Sequence, residues 1–245
     1  MTAPPLDRRM ESAPAPLFAP LGLALPLRIE QVDKDAFDAD AALASFTLRS
    51  ARAALEADAV AAAFDCAGAP GEATLALTRR LADEIGEDAA VLGTLAAPAT
   101  LAADGAVERE AKRASAAVDG LCTAGVAALV MLEAVADPDP ALFGAFDAAF
   151  NLAAYYQVPV LYLARHALPG GVAAAARAAG ARWAVGPGET DGAVASVPLE
   201  LFGGDGAHRW AAELPPGVRL HVSSWEVPAD TGVESVAGLC RALRA

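Results

Sequence analysis

Only three cysteines, Cys66, Cys122 and Cys240, occur in 245 residues. They lie far apart and form no Cys-x-x-Cys pair, so neither a disulfide framework nor a structural zinc motif is expected. Thiols so placed fit a reducing cytoplasm. Aromatic residues make up just 6% of the chain, so its core has to be built from alanine and aliphatic side chains. Basic residues are also scarce, 18 against 31 acidic ones, for a net charge of -13. A surface of that sign repels nucleic-acid phosphates and anionic lipid headgroups, which argues against both as partners. No apolar run reaches the roughly 18 residues of a spanning helix, so no membrane association is expected. The three histidines show no His-x-His or His-x-x-x-His spacing, and no metal site is expected from them. Gly-x-Gly-x-x-Gly and Gly-x-Ser-x-Gly are both missing, which weakens dinucleotide binding and a hydrolase nucleophile elbow.

What the chain does have is 55% hydrophobic residues, enough for one large core. The first twenty residues carry five prolines and several charges. We read residues 1–15 as a mobile arm and 16–245 as a single domain. From there, short apolar runs alternate with amphipathic ones. Strands are predicted within 17–29, 57–64, 89–95, 127–132, 158–164, 182–185, 194–201 and 218–222. Helices are predicted at 41–55, 72–85, 107–124, 140–156 and 172–179, with a last one after Thr231. Gly125 and Gly180 are suited to terminate the third and fifth of these. Eight strands alternating with helices, each strand ending in a loop rich in Gly, Pro or Asp, predict an α/β fold of the (β/α)8 TIM-barrel type. A doubly wound open sheet is the alternative.

Such a barrel carries its chemistry at the C-terminal ends of its strands. Asp65 ends the second strand before a Gly/Pro loop, and Glu133 ends the fourth. Both are candidate catalytic carboxylates, although Asp before Gly is also ordinary turn chemistry. Tyr162 in the fifth strand is a third catalytic candidate, able to donate a hydrogen bond into the mouth, or else a core residue. His166, His221, Trp225 and Glu226 lie at or near strand ends and are candidate substrate-binding residues. His166 is suited to carry protons near neutrality. Trp225 can serve as a platform for a planar ligand or as a lid on the core. Loops Gly186-Pro187-Gly188 and Gly203-Gly204-Asp205-Gly206 read as turns over the mouth.

Four segments resemble the uroporphyrinogen decarboxylase and cobalamin-dependent methyltransferase superfamily. They are Ala89–Ala102 (AAVLGTLAAPATLA), Ala124–Glu133 (AGVAALVMLE), Gln157–His166 (QVPVLYLARH) and Trp225–Thr231 (WEVPADT). The last is similar to the closing motif of the methyltransferase branch. The resemblance covers most of residues 50–245. It implies a (β/α)8 barrel, a homodimer, and methyl transfer to or from a small molecule. A corrinoid would be substrate or would arrive on a partner protein, with no tightly bound cofactor. In that branch a zinc ion activates a thiol, but the matching positions here hold Tyr162, Ala164 and Trp225, none of them a zinc ligand. Asp65 matches the catalytic Asp of the decarboxylase branch, whose arginine-rich loop has no counterpart here. Decarboxylation of a tetrapyrrole or small acid is the first alternative, and a non-catalytic relative binding a ligand or partner subunit the second. The chain is shorter than typical members, which implies trimmed loops over the site.

Overall fold

A computed structural model describes residues 4–64, 70–104, 106–203 and 206–244. The elements run α1 (Leu6–Ser12), β1 (Leu17–Ala19), α2 (Ala24–Glu30), α3 (Lys34–Ala39), α4 (Ala41–Ala54), β2 (Ala59–Ala61), α5 (Glu72–Ile85), β3 (Ala90–Ala96), α6 (Pro98–Asp104) and α7 (Val107–Thr123). They continue with β4 (Ala128–Glu133), a 3-10 segment at Pro140–Phe146, α8 (Asp147–Tyr155), β5 (Val160–Ala164), α9 (Gly170–Ala179), β6 (Trp183–Val185), β7 (Thr190–Asp191) and β8 (Val194–Val197). A second 3-10 segment at Leu199–Gly203, then α10 (Ala207–Glu213), β9 (Leu220–Ser223) and α11 (Val233–Arg244), completes the chain.

Eight parallel strands form a (β/α)8 barrel whose backbone ladder runs in two arcs, β2-β3-β4-β5-β6 and β1-β9-β8. Strand β7 adds an antiparallel edge to β8. Carboxylates bridge the two seams between the arcs. At the first, Phe18 N–H donates to Asp58 Oδ2 (2.8 Å), while Asp58 N–H donates to the Phe18 carbonyl (2.9 Å). At the second, Ala184 N–H donates to Asp191 Oδ2 and Gly186 N–H to Glu189 Oε2, both at 2.8 Å. Each acid accepts the bond that a neighbouring strand's carbonyl would otherwise accept.

Alternation along the strands sorts the side chains. Ala59, Ala61, Ala90, Leu92, Ala128 and Val130 belong to the interior cluster, with Leu161, Trp183, Val194 and Leu220 completing the ring. Small alanines on β2–β4 leave volume that the Trp183 indole helps to fill. The other parity of β3–β6, including Leu95, Leu129, Met131 and Tyr162, packs outward with α7, α8 and α9.

Within the stretch read as a mobile arm, helix α1 forms a floor under the barrel. Leu6 and Met10, one turn apart on α1, are buried in the interior cluster. Leu6 N–H donates to the Ala127 carbonyl, and Arg219 Nε donates to the Met10 carbonyl (3.0 Å). The burial of two large apolar side chains outweighs the proline-rich flanks that suggested an arm. Two further details differ from the sequence reading. Residues 24–30 are helical rather than strand loop, because Pro26 falls in the first turn, where no N–H partner is needed. Residues 140–146 are 3-10 rather than α, begun by Pro140 behind the Asp139 cap.

Candidate functional site

The barrel mouth, at the C-terminal ends of the strands, is built around Trp225. Its ring rests on the interior cluster and meets Phe64 edge-on, with centroids 5.4 Å apart. The guanidinium carbon of Arg165 lies 5.9 Å from the Trp225 ring centroid, within cation–π range. Arg165 and His166 are exposed at the end of β5. Their loop is fixed from two sides. Arg165 N–H donates to the Glu133 carbonyl (2.8 Å), and Leu168 N–H donates to Glu189 Oε1 (3.2 Å). Glu189 therefore ties the loop after β5 to the loop after β6. Its role is hard to see in the sequence, because one of its partners, the Leu168 N–H, comes from another segment. The Gly-Pro-Gly immediately before it was the available signal, marking a turn tight enough to need holding.

Several candidate residues do other work. Glu133 and Tyr162 do come together, but on the outer face of the sheet. Glu133 is fully buried and accepts from Thr100 Oγ1 (2.5 Å), Val135 N (3.0 Å), Ala99 N (3.2 Å) and the Tyr162 hydroxyl (3.0 Å). This fastens the start of α6 and the strand end β5 to β4. Burial, with the adjacent Glu133 carboxylate, holds the Tyr162 phenol well above its ordinary range. The expected hydrogen bond from Tyr162 into the mouth is thus replaced by one to Glu133. The alternation of β5 puts Leu163, which is in the interior cluster, on the mouth side in place of Tyr162 and Ala164.

His221 is also on the outer parity. It is buried between β9 and α10, with its ring 6.1 Å from that of Trp210, and its Nδ1 has no hydrogen-bond partner among the described residues. Burial pushes its pKa down to about 4, partly opposed by the Leu243 backbone. The imidazole of His221, a candidate substrate-binding residue, is thus packed under helices and not at the mouth.

Glu226 accepts from Leu23 N (3.0 Å) and Ala24 N (3.1 Å), so it serves the free N–H groups at the start of α2. Val227 N–H donates to the Leu21 carbonyl, and Arg28 donates to the Thr231 carbonyl (2.6 Å). The closing WEVPADT stretch is a clamp joining the loop after β9 to the loop after β1, with Trp225 as its mouth-facing member. Asp65 and Cys66 lie outside the described residues. Among the described residues, no three His, Cys, Asp or Glu side chains gather closely enough to hold a metal ion. A zinc ion does not fit the implied positions either, since Tyr162 is committed to Glu133 and Trp225 offers only an indole. Among the described residues, no helix is long and apolar enough to cross a membrane.

These features define the class of protein, an α/β barrel with an aromatic mouth. Comparison with solved structures agrees on the fold. A methyltransferase from Methanosarcina mazei superposes with a TM-score of 0.70 at 12% identity, over 96% of this chain and 95% of that one. The homocysteine methyltransferase MmuM from Escherichia coli, in its apo form, gives 0.51 at 12% identity over 95% and 97%. At that identity the likeness is one of fold. No protein-family model matches the sequence, and no curated protein does.

Proposed function

We propose that this barrel takes part in methyl transfer to or from a small molecule, receiving a corrinoid at its mouth without the usual zinc ion. The observation that carries this reading is the Trp225 platform, flanked by Phe64 and Arg165. A flat apolar surface beside an exposed cation suits a planar macrocycle with polar substituents at its rim. The fold shared with two methyltransferases supports it. A corrinoid, free or on a partner protein, supplies the transferable methyl group. The chain's own part is to seat the ring on Trp225, pair a rim substituent with Arg165, and move a proton at His166. Asp65, outside the described residues, is proposed from the sequence as the carboxylate that faces developing positive charge. Glu133 and Tyr162 are assigned to holding β4, β5 and α6 together. The reading carries with it a homodimer in the cytoplasm.

A second reading, a non-catalytic barrel that binds a ligand or partner subunit, is favoured by one observation. Glu133, Tyr162 and Glu226 are all engaged in internal hydrogen bonds. Absorbance titration separates the readings. A shift of the cobalamin band that weakens at least about tenfold in Trp225→Ala supports the proposal. A shift with a porphyrin alone points to tetrapyrrole decarboxylation instead. Silence with both favours the non-catalytic reading, and so does cobalamin binding without any methyl transfer by the parent, whereas Asp65→Asn turning over like an active parent removes Asp65 from the role proposed for it.

A further inference from the structure

Trp225 stands where its strand has ended. The parallel ladder between β8 and β9 stops at Val197 and Ser223. Ser224 N–H adds one last bond to the Val197 carbonyl (2.8 Å), and Trp225 follows in a bend. Loop positions move more than strands do, yet Trp225 is the ring that Phe64 and Arg165 both meet. A platform on such a loop presents a constant face only if its backbone is held from outside the ladder.

A single buried hydroxyl supplies that hold. Ser223 Oγ accepts from Leu21 N–H (2.8 Å) and donates to the Trp225 carbonyl (2.7 Å). One hydroxyl can do both, having one proton and two lone pairs. Leu21 is itself buried in the interior cluster, so it is a firm post. Its carbonyl accepts from Val227 N–H (2.9 Å). The backbone on either side of the Trp225 ring is therefore fastened to one residue of the loop after β1, 202 positions before Ser223. We infer that Ser223 is a positioning residue for the mouth: its hydroxyl couples Leu21 to the Trp225 carbonyl and so fixes the face that Trp225 presents. The functional weight of this role rests on the reading of Trp225 as a platform for a planar ligand. It differs from the role of Glu226, whose carboxylate serves the start of α2. Alanine at position 223 takes this partner from both the Leu21 N–H and the Trp225 carbonyl, and frees the loop to turn the indole.

The test uses the full chain labelled with 5-fluorotryptophan, which gives one fluorine resonance each for Trp183, Trp210 and Trp225. The resonance lost in Trp225→Phe is that of Trp225. In Ser223→Ala it should shift or split by more than its line width. Its difference between light and heavy water should also grow, as the ring rests less firmly on Phe64 and the interior cluster. The Trp183 resonance, from within the barrel, should stay in place. Ser223→Cys, close in size but with a thiol that donates and accepts weakly, takes the place of Ser223→Ala if that variant does not fold. A Trp225 resonance that keeps its position and width overturns the assignment. So does a Trp183 resonance that moves as far as that of Trp225, since the effect is then a general loosening. Failure of both variants to fold overturns it too, by making Ser223 a residue of the core. The corrinoid reading is judged on a separate signal: a parent that leaves the cobalamin band unmoved removes that reading and leaves the fluorine result standing.

Discussion

Acid should weaken this protein through His221 in a way that a single substitution removes. The imidazole is 3% exposed, its Nδ1 has no partner among the described residues, and its pKa falls from 6.5 to about 4. The sign follows from which state takes the proton first. Above pH 6.5 both states hold a neutral ring and His221 adds no pH dependence. Between 6.5 and about 4 the unfolded chain is protonated while the native ring resists, so the fold loses stability as pH drops. The loss amounts to roughly 1 kcal/mol by pH ~5.5 and roughly 2–3 kcal/mol by pH ~4.5, levelling off near 3 kcal/mol below that. Urea unfolding of the parent and of His221→Gln, at pH ~7 and ~4.5, measures it. The variant should be less stable by about 1–2 kcal/mol at neutral pH, because packing against Trp210 is reduced. Its further loss on acidification should be smaller than the parent's by roughly 2–3 kcal/mol, the other titrating groups being common to both. Parallel losses in the two proteins would refute the burial argument, as would a native His221 titrating near 6.5 by NMR.

Three further outcomes follow from the geometry. Glu133→Gln places an amide donor against the Ala99 N–H or the Thr100 hydroxyl, and should cost about 1–3 kcal/mol in urea unfolding. An unchanged midpoint would show that the four bonds to this carboxylate are not holding α6. Gly22 has φ +119°, and an added Cβ would overlap the Glu226 side chain, so Gly22→Ala should destabilise by about 2 kcal/mol or more. A thermal melt within error of the parent would refute that. Leu6→Ala should lower stability by about 2–5 kcal/mol if α1 is a true floor. A mobile arm would tolerate it without effect.

The sequence made the eight strands legible because each is buried on both faces and reads as a short apolar run between breakers. For the same reason it hid which face each residue took. With both sides of β5 apolar, nothing distinguishes Leu163, facing the barrel interior, from Tyr162, facing the helices. The candidate roles of Tyr162 and His221 fell on that ambiguity. Glu226 was hidden differently. Its partners, Leu23 and Ala24, lie about two hundred residues earlier in the chain, and capping signals are readable only when cap and helix are neighbours. Trp225 was legible as a platform or lid because a lone large aromatic at a strand end stands out in an alanine-rich chain. Its partner Arg165 takes its place over the ring only through the fold.

The floor under the barrel also has a consequence for synthesis. Helix α1 leaves the ribosome well before its anchor Arg219, which is 209 residues from Met10. Contacts so distant in sequence form late and slow folding. During translation α1 must wait, its apolar side chains uncovered, until Arg219 has emerged. Nascent chains stalled before Arg219 should therefore leave α1 open to protease and to chaperones. Completion of the last strand would then be the event that protects the first helix.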